Sequence, residues 1–239
     1  MIDNAHISSA FDKDLREIED LVVTMGGLVE QQIEDAATVL ITRDLELADK
    51  LKADDKKVDE IEQQIDDLVV RVIALRQPKA QDLRAVVAAM KVAADLERIG
   101  DYTKNIAKRT HVLAQVPQVG SSAKTIKRMC LLVRSMVKDV LDAYIARDIE
   151  AANEVRLRDE DVDQMHNTLF RSLLTYMLED PQNITPCMHL QFISKNVERM
   201  GDHTTSIAEQ IHFFISGAMP EEDRPKGDVT STTFVATDE

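Results

Sequence analysis

The word Glu97-Arg98-Ile99-Gly100-Asp101 returns half a chain later as Glu198-Arg199-Met200-Gly201-Asp202, and an Ile-Ala pair follows each at the same distance. Two other words recur in the same order. Arg43-Asp44-Leu45-Glu46 comes back as Arg147-Asp148-Ile149-Glu150, and Asp55-x-x-Val58-Asp59 as Asp159-x-x-Val162-Asp163. Pro78 is answered by Pro181. The chain is therefore an internal duplication, and a fold that suits one half must suit the other.

The residues between these words read as helix. Val58, Ile61, Ile65, Leu68, Val72 and Leu75 step by three and four, so they line one helix face. Gln77-Pro78 ends that helix, because proline disfavours a helical residue before it and suits a helix start itself. Leu83 to Ala107 then carries a second seam of Val92, Leu96, Ile99, Thr103 and Ile106. An opening helix from about Ser8 to Arg43 completes three, with Gly26-Gly27 marking a kink or a close helix contact. After the connection from Val116 to Ser122, which holds Pro117 and Gly120, the plan repeats. It ends on a seam of Ile193, Val197, Met200, Thr204, Ile207, Ile211 and Phe214. The expected fold is all-α: two tandem, similar three-helix bundles over 1–115 and 116–217, with a flexible polar tail over 218–239. Phe234 and Val235 could anchor that tail, but an unattached end is the expectation. Composition agrees, since aromatic residues are 4% of the chain, Trp is absent, and only 7 Gly and 6 Pro are available to interrupt helices.

A net charge of −14 argues against nucleic acid and anionic lipid surfaces as partners, both of which reward clustered Lys and Arg. No apolar run approaches the roughly 18 residues that would span a bilayer, and residues 1–10 lack a secretory pattern, so a cytoplasmic protein is expected. Cys130 and Cys187 stand far apart in apolar stretches and read as buried free thiols.

The carboxylates carry the functional signal. Glu97 and Asp101 lie one helical turn apart beside the apolar seam. If the second and third helices run antiparallel about Gln77-Pro78, Asp59 falls level with Glu97 and Asp55 with Asp101. The second half repeats this with Asp163 level with Glu198, and Asp159 level with Asp202. Four like charges on a partly buried face repel unless a cation neutralises them. Oxygen-only donors suit Mg, Mn, Fe or Ca, and also Zn, so one metal site per half is expected. A solvated face, or ion pairs to Arg98 and Lys104, is the competing reading. Arg98 and Arg199 are expected to pair with acids on a neighbouring helix, and Gly100 and Gly201 to leave room for close approach or a ligand. His203, beside Asp202, is read as a bystander. A di-iron enzyme would need a repeated Glu-x-x-His, whereas only Glu209-Gln210-Ile211-His212 has the spacing; no nucleophile elbow is present.

The paired D-x-x-x-D and E-R-x-G-D words, together with Arg76-Gln77-Pro78 leading into Asp82-Leu83-Arg84, resemble the PhoU family up to about Gly217. Asp82-Leu83-Arg84 has no counterpart in the second half, where Asn183-Ile184-Thr185 stands. The resemblance implies a non-enzymatic regulator built of two three-helix bundles, whose acidic words hold iron, zinc or other metals in some members. It places Asp55, Asp59, Glu97, Asp101, Asp159, Asp163, Glu198 and Asp202 as ligands. It also implies a negative regulator of phosphate uptake and of the phosphate-starvation response. Such a protein would join the ATPase subunit of a phosphate ABC transporter to a phosphate-sensing membrane histidine kinase, and would sit at the inner membrane only through these partners. A homodimer is expected, because three-helix units commonly leave apolar surface. The alternative is a metal-binding helical scaffold or storage protein.

Overall fold

The computed structural model describes residues 2–220 and 227–230, and among them the regular structure is helical throughout. The first half holds α1 (Ile2–Thr42), α2 (Leu45–Arg76) and α3 (Ala80–Leu113); the second holds α4 (Ser122–Ala146), α5 (Ile149–Glu179) and α6 (Ile184–Ser216). A 3-10 turn, Pro181–Asn183, stands between α5 and α6.

The repeated Arg-Asp word is a helix break. Arg43 and Arg147 take left-handed backbone angles, with φ of 57° and 54°, and end α1 and α4. The next residue starts the following helix. Asp44 accepts from the Glu46 and Leu47 amides at 3.0 Å each, and Asp148 accepts from the Ala151 amide at 3.1 Å. An aspartate N-cap of this kind contributes about 1 kcal/mol and fixes where the helix begins.

Within each half the three helices contact one another, and the halves meet through α1 against α4 and α3 against α6. The seams read from the sequence are buried, with two exceptions on α2: Ile61 is only partly covered and Leu75 is 68% exposed at the hairpin tip. The core is aliphatic and thioether, with Met25, Met129, Met136 and Met200 fully enclosed. Both cysteines are free and buried, and burial pushes the Cys130 thiol up to about 12. At Gly26-Gly27 the helix continues, and the close-contact reading holds for the first glycine: a Cβ on Gly26 would lie 2.2 Å from Leu141 Cδ1 of α4. Gly27 has open space beside it.

The halves also meet at equivalent residues. Tyr102 and His203, each following the last acid of its word, have ring centroids 5.8 Å apart. His203 Nδ1 lies 2.8 Å from Asp95 Oδ1 of α3, and Ser206 Oγ donates to Asp95 Oδ2 at 2.8 Å. The histidine thus serves the seam between the halves.

Candidate functional site

The α2–α3 and α5–α6 hairpins each carry a carboxylate cluster on one face. In the first, Asp55 is buried, Glu97 and Asp101 are half-buried, and Asp59 is exposed. Lys104, one turn beyond Asp101, reaches Asp55 Oδ2 across the helix pair and lies 3.4 Å from Asp101 Oδ1. One ammonium touching both acids shows that Asp55 and Asp101 share a level, as the antiparallel register requires. Arg98 departs from expectation. It pairs along its own helix, with Nε 3.7 Å from Glu97 Oε2 and Nη1 4.0 Å from Asp101 Oδ2, because its exposed side chain lies over the turn that bears them. Arg199 is likewise exposed on α6.

Positive charge at this site is unevenly spread. Lys104 neutralises Asp55, while Glu97 sits among Asp101, Glu62 and Asp59. Burial first, and then repulsion from Asp101, lifts the Glu97 carboxyl to about 7 against the pull of Arg98. Asp59 is raised as well, by partial burial and by Asp55.

The second cluster has the same acids in a different setting. Asp159, Asp163 and Glu198 are buried and Asp202 is half-buried. Lys195 Nζ lies 2.6 Å from Glu198 Oε2, taking the neutralising role that Lys104 has in the first half, but from the other side of the word. Burial raises the Asp163 and Glu198 carboxyls, helped by Asp202. Residues 227–230 lie against this cluster, so the expectation of an unattached tail fails for them; 221–226 and 231–239, with Phe234 and Val235, lie outside the described residues.

Glycine in each word answers the first acid of its hairpin. An added Cβ would lie 2.5 Å from Asp159 Oδ1 at Gly201, and 3.7 Å from Asp55 Oδ1 at Gly100, where the nearest atom is Gln32 Oε1 at 3.1 Å. The close-approach reading therefore holds. Gly201→Ala is expected to displace a buried carboxylate and cost about 1–3 kcal/mol, whereas at Gly100 the helix-propensity gain of about 1 kcal/mol offsets a small shift of Gln32. Thermal unfolding of the two variants checks the asymmetry; equal melting temperatures would contradict it.

Among the described residues, no three Asp, Glu, His or Cys side chains are already arranged to hold a metal ion. The donor chemistry of the first half nonetheless suits an oxygen-seeking cation. Glu97, Asp101 and Asp59 share a face, and the repulsion that adds to burial in lifting Glu97 is what a divalent ion would relieve. Lys104 would have to yield Asp55 and Asp101 for all four acids to take part. Glu209 instead lies 3.7 Å from Arg156, and His212 Nδ1 lies 2.8 Å from the Ala218 carbonyl, so the lone Glu-x-x-His word is spent on structure.

Sequence reasoning did not single out Lys195, Asn167 or Asp228. The spacing of Lys195 three residues before Glu198 was a usable signal; contacts with residues 227–230 leave no local trace in the sequence.

The duplicated helical bundle with an acidic cluster on each hairpin defines a class of tandem three-helix-bundle proteins, and no helix among the described residues is long and apolar enough to cross a membrane. The family profile described as "PhoU domain" matches residues 22–110 and 126–211. The chain belongs to the PhoU family, whose members are accessory and regulatory proteins rather than enzymes. It is 46% identical over 235 residues to the phosphate-specific transport system accessory protein PhoU homolog of Rhizobium meliloti (strain 1021), covering 98% of this chain and 99% of that one. The homolog of the same name from Caulobacter vibrioides (strain NA1000 / CB15N) is 44% identical, with 95% and 98% covered. Among solved structures, PhoU from Pseudomonas aeruginosa superposes with a TM-score of 0.84 at 35% identity, over 87% of this chain and all of that one. The phosphate transport system regulatory protein PhoU from Streptococcus pneumoniae gives 0.81 at 27% identity, over 89% of this chain and all of that one.

Proposed function

We propose that this chain is the accessory protein of a phosphate-specific transport system. In this reading it restrains phosphate uptake and keeps the phosphate-starvation response off when phosphate is plentiful. The observation that carries the proposal is the near full-length likeness to relatives named for that system. An acidic helical body suits an adaptor that docks on the transporter's ATPase subunit and on the sensory part of a membrane histidine kinase. That setting is cytoplasmic, with the membrane reached through protein partners. To shift the kinase it must bind its two signalling states unequally, since a partner with equal affinity for both changes nothing. A homodimer belongs to the same reading.

The carboxylate clusters supply a cation site in this proposal. Asp59, Glu97 and Asp101 of the first half, joined by Asp55 once Lys104 moves, would hold Mn, Mg, Fe or Zn; Asp159, Asp163, Glu198 and Asp202 are the equivalents. The ion would supply positive charge that cancels the repulsion within each cluster.

Deleting the gene in phosphate-replete cells is expected to switch a phosphate-starvation reporter on, and restoring it to silence the reporter. A reporter that stays silent in the deletion strain would remove the negative-regulator reading and leave a metal-binding scaffold as the alternative.

A further inference from the structure

The two carboxylate clusters differ most at one equivalent pair. Asp59 is exposed, whereas Asp163 is only 4% exposed. What covers Asp163 is the chain's own segment 227–230. The amides of Gly227 and Asp228 both donate to Asp163 Oδ2, at 2.7 and 3.1 Å. Asn167, one turn further along α5, clamps the same segment from both sides: its Nδ2 donates to the Gly227 carbonyl at 2.6 Å, and its Oδ1 accepts from the Val229 amide at 3.1 Å. The Asp228 carboxylate lies 2.6 Å from Lys195 Nζ, the ammonium that also holds Glu198, and accepts from the Thr230 amide and hydroxyl at 2.8 and 2.7 Å. Gly227 is suited to its place, since a Cβ there would stand 3.1 Å from Asp163 Cβ.

The first half has no such groove. Asn167 is matched by Gln63 and Lys195 by Ala94, so the asparagine of the clamp and a lysine at that position are both missing from α2–α3, whose ammonium, Lys104, comes from the other side of the word. The duplicated words are symmetric, and the groove built beside them is not.

We infer that the α5–α6 face is a peptide-binding groove occupied in cis by residues 227–230, and that this docked segment and a cation at Asp163 exclude each other. The reason is shared use of one oxygen. Asp163 Oδ2 accepts two amide hydrogens, whose partial positive charges occupy the positions a cation would need, while Lys195 holds Glu198. Release of the segment frees Asp163 and removes one partner of Lys195. The inference rests on the cation reading above. It makes the halves inequivalent, with the first cluster open to ions and the second closed until its latch lifts.

The test uses the full chain, with Asn167→Ala and, separately, Val229→Pro. The first removes the clamp; the second deletes the Val229 amide hydrogen from within the tail, where the helical bundle is not touched. Hydrogen exchange of the Gly227 and Asp228 amides is measured with and without Mn(II), and Mn(II) binding by calorimetry, each also in an Asp202→Asn background to mark the second cluster. Without metal, the segment is expected to exchange about tenfold more slowly in the unmodified chain than in either variant. Saturating Mn(II) is expected to remove that protection, and both variants to bind the Asp202-dependent Mn(II) about tenfold more tightly. Mn(II) binding that is equal in all three proteins, with protection unchanged by metal, overturns the exclusion and leaves the cation reading standing. No Mn(II) binding by any of them overturns both.

Discussion

Lys104→Met is expected to lower the unfolding free energy by about 2–3 kcal/mol, a fall in melting temperature of about 5–10 °C for a chain of this size. Asp55 is only 2% exposed and its carboxylate relies on the Lys104 ammonium, which lies 3.4 Å from Asp101 as well. Removing one partner of a buried pair leaves the other charge without compensation, and that costs more than the pair contributes when intact. The loss is modest for a buried pair because the lysine side chain is 29% exposed, and water screens part of the attraction. Asp55→Asn in the same chain is expected to recover most of the loss, since a neutral amide needs no cation; a double variant as unstable as the single one would show that Lys104 acts through packing of its methylenes. The variant also probes the cation reading. With the ammonium gone, Asp55 and Asp101 are free to take a divalent ion, so Mn(II) is expected to raise the melting temperature of Lys104→Met more than that of the parent. A melting temperature indifferent to Mn(II) in both proteins would count against a cation at this cluster.

Glu97→Gln is expected to do the opposite and stabilise the metal-free protein at pH 8, by about 2–3 kcal/mol. The folded-state carboxyl is lifted to about 7 from an ordinary 4.5, by burial first and then by Asp101. A carboxyl raised on folding favours the folded state fully below about pH 4.5, and that contribution is lost as pH rises through about 7. The glutamine has no charge to lose, so the gap between variant and parent should open between pH 4.5 and 7 and vanish below. His166 acts in the other direction. Burial holds its imidazole down to about 4, with Nδ1 2.7 Å from Ser194 Oγ, so its contribution is present above about pH 6.5 and lost as pH falls toward 4. Chemical unfolding across pH 4 to 8 separates the two limbs: the Glu97 limb should disappear in Glu97→Gln and the His166 limb remain. A variant that is less stable than the parent at pH 8 would mean that Glu97 is already neutralised in the folded chain. Saturating Mn(II) should reverse the order of the two proteins, because the carboxylate that destabilises the metal-free state is the one a cation would use.

Both experiments bear on why such acids occur together at all. Burial first, and neighbouring acids after it, raise Glu97 and Asp59 in one cluster and Asp163 and Glu198 in the other; both clusters are held at a cost, and each half offsets part of it with a lysine from a different place. Lys104 spans two helices and stabilises the α2–α3 pair. Lys195 stays near its own helix and divides its charge between Glu198 and Asp228, which it helps hold down at about 2 although burial alone would raise that carboxyl. Equivalent words thus carry unequal chemistry.

The duplication, the helical class and the shared level of Asp55 and Asp101 were legible in the amino-acid order, because helix period and an antiparallel turn at Pro78 set heights along a hairpin without reference to anything distant. The Arg-Asp words were legible as repeats, but their physical role as a left-handed helix end followed by an N-cap is a matter of backbone angles. Arg98 was read as an inter-helix partner and instead lies along α3, since an exposed guanidinium finds acids on its own turn more readily than across a gap. His203 was read as a bystander to the acids, and its ring indeed faces Tyr102 and Asp95 of the other half; that destination was not legible in the chain order. The choice of Lys104 and Lys195 as counter-charges, the cover that 227–230 lays on Asp163, and the inequality of two nearly identical words were decided by tertiary structure alone. Each depends on side chains brought together from different helices or from the far end of the chain, and local periodicity carries no information about which distant group will arrive.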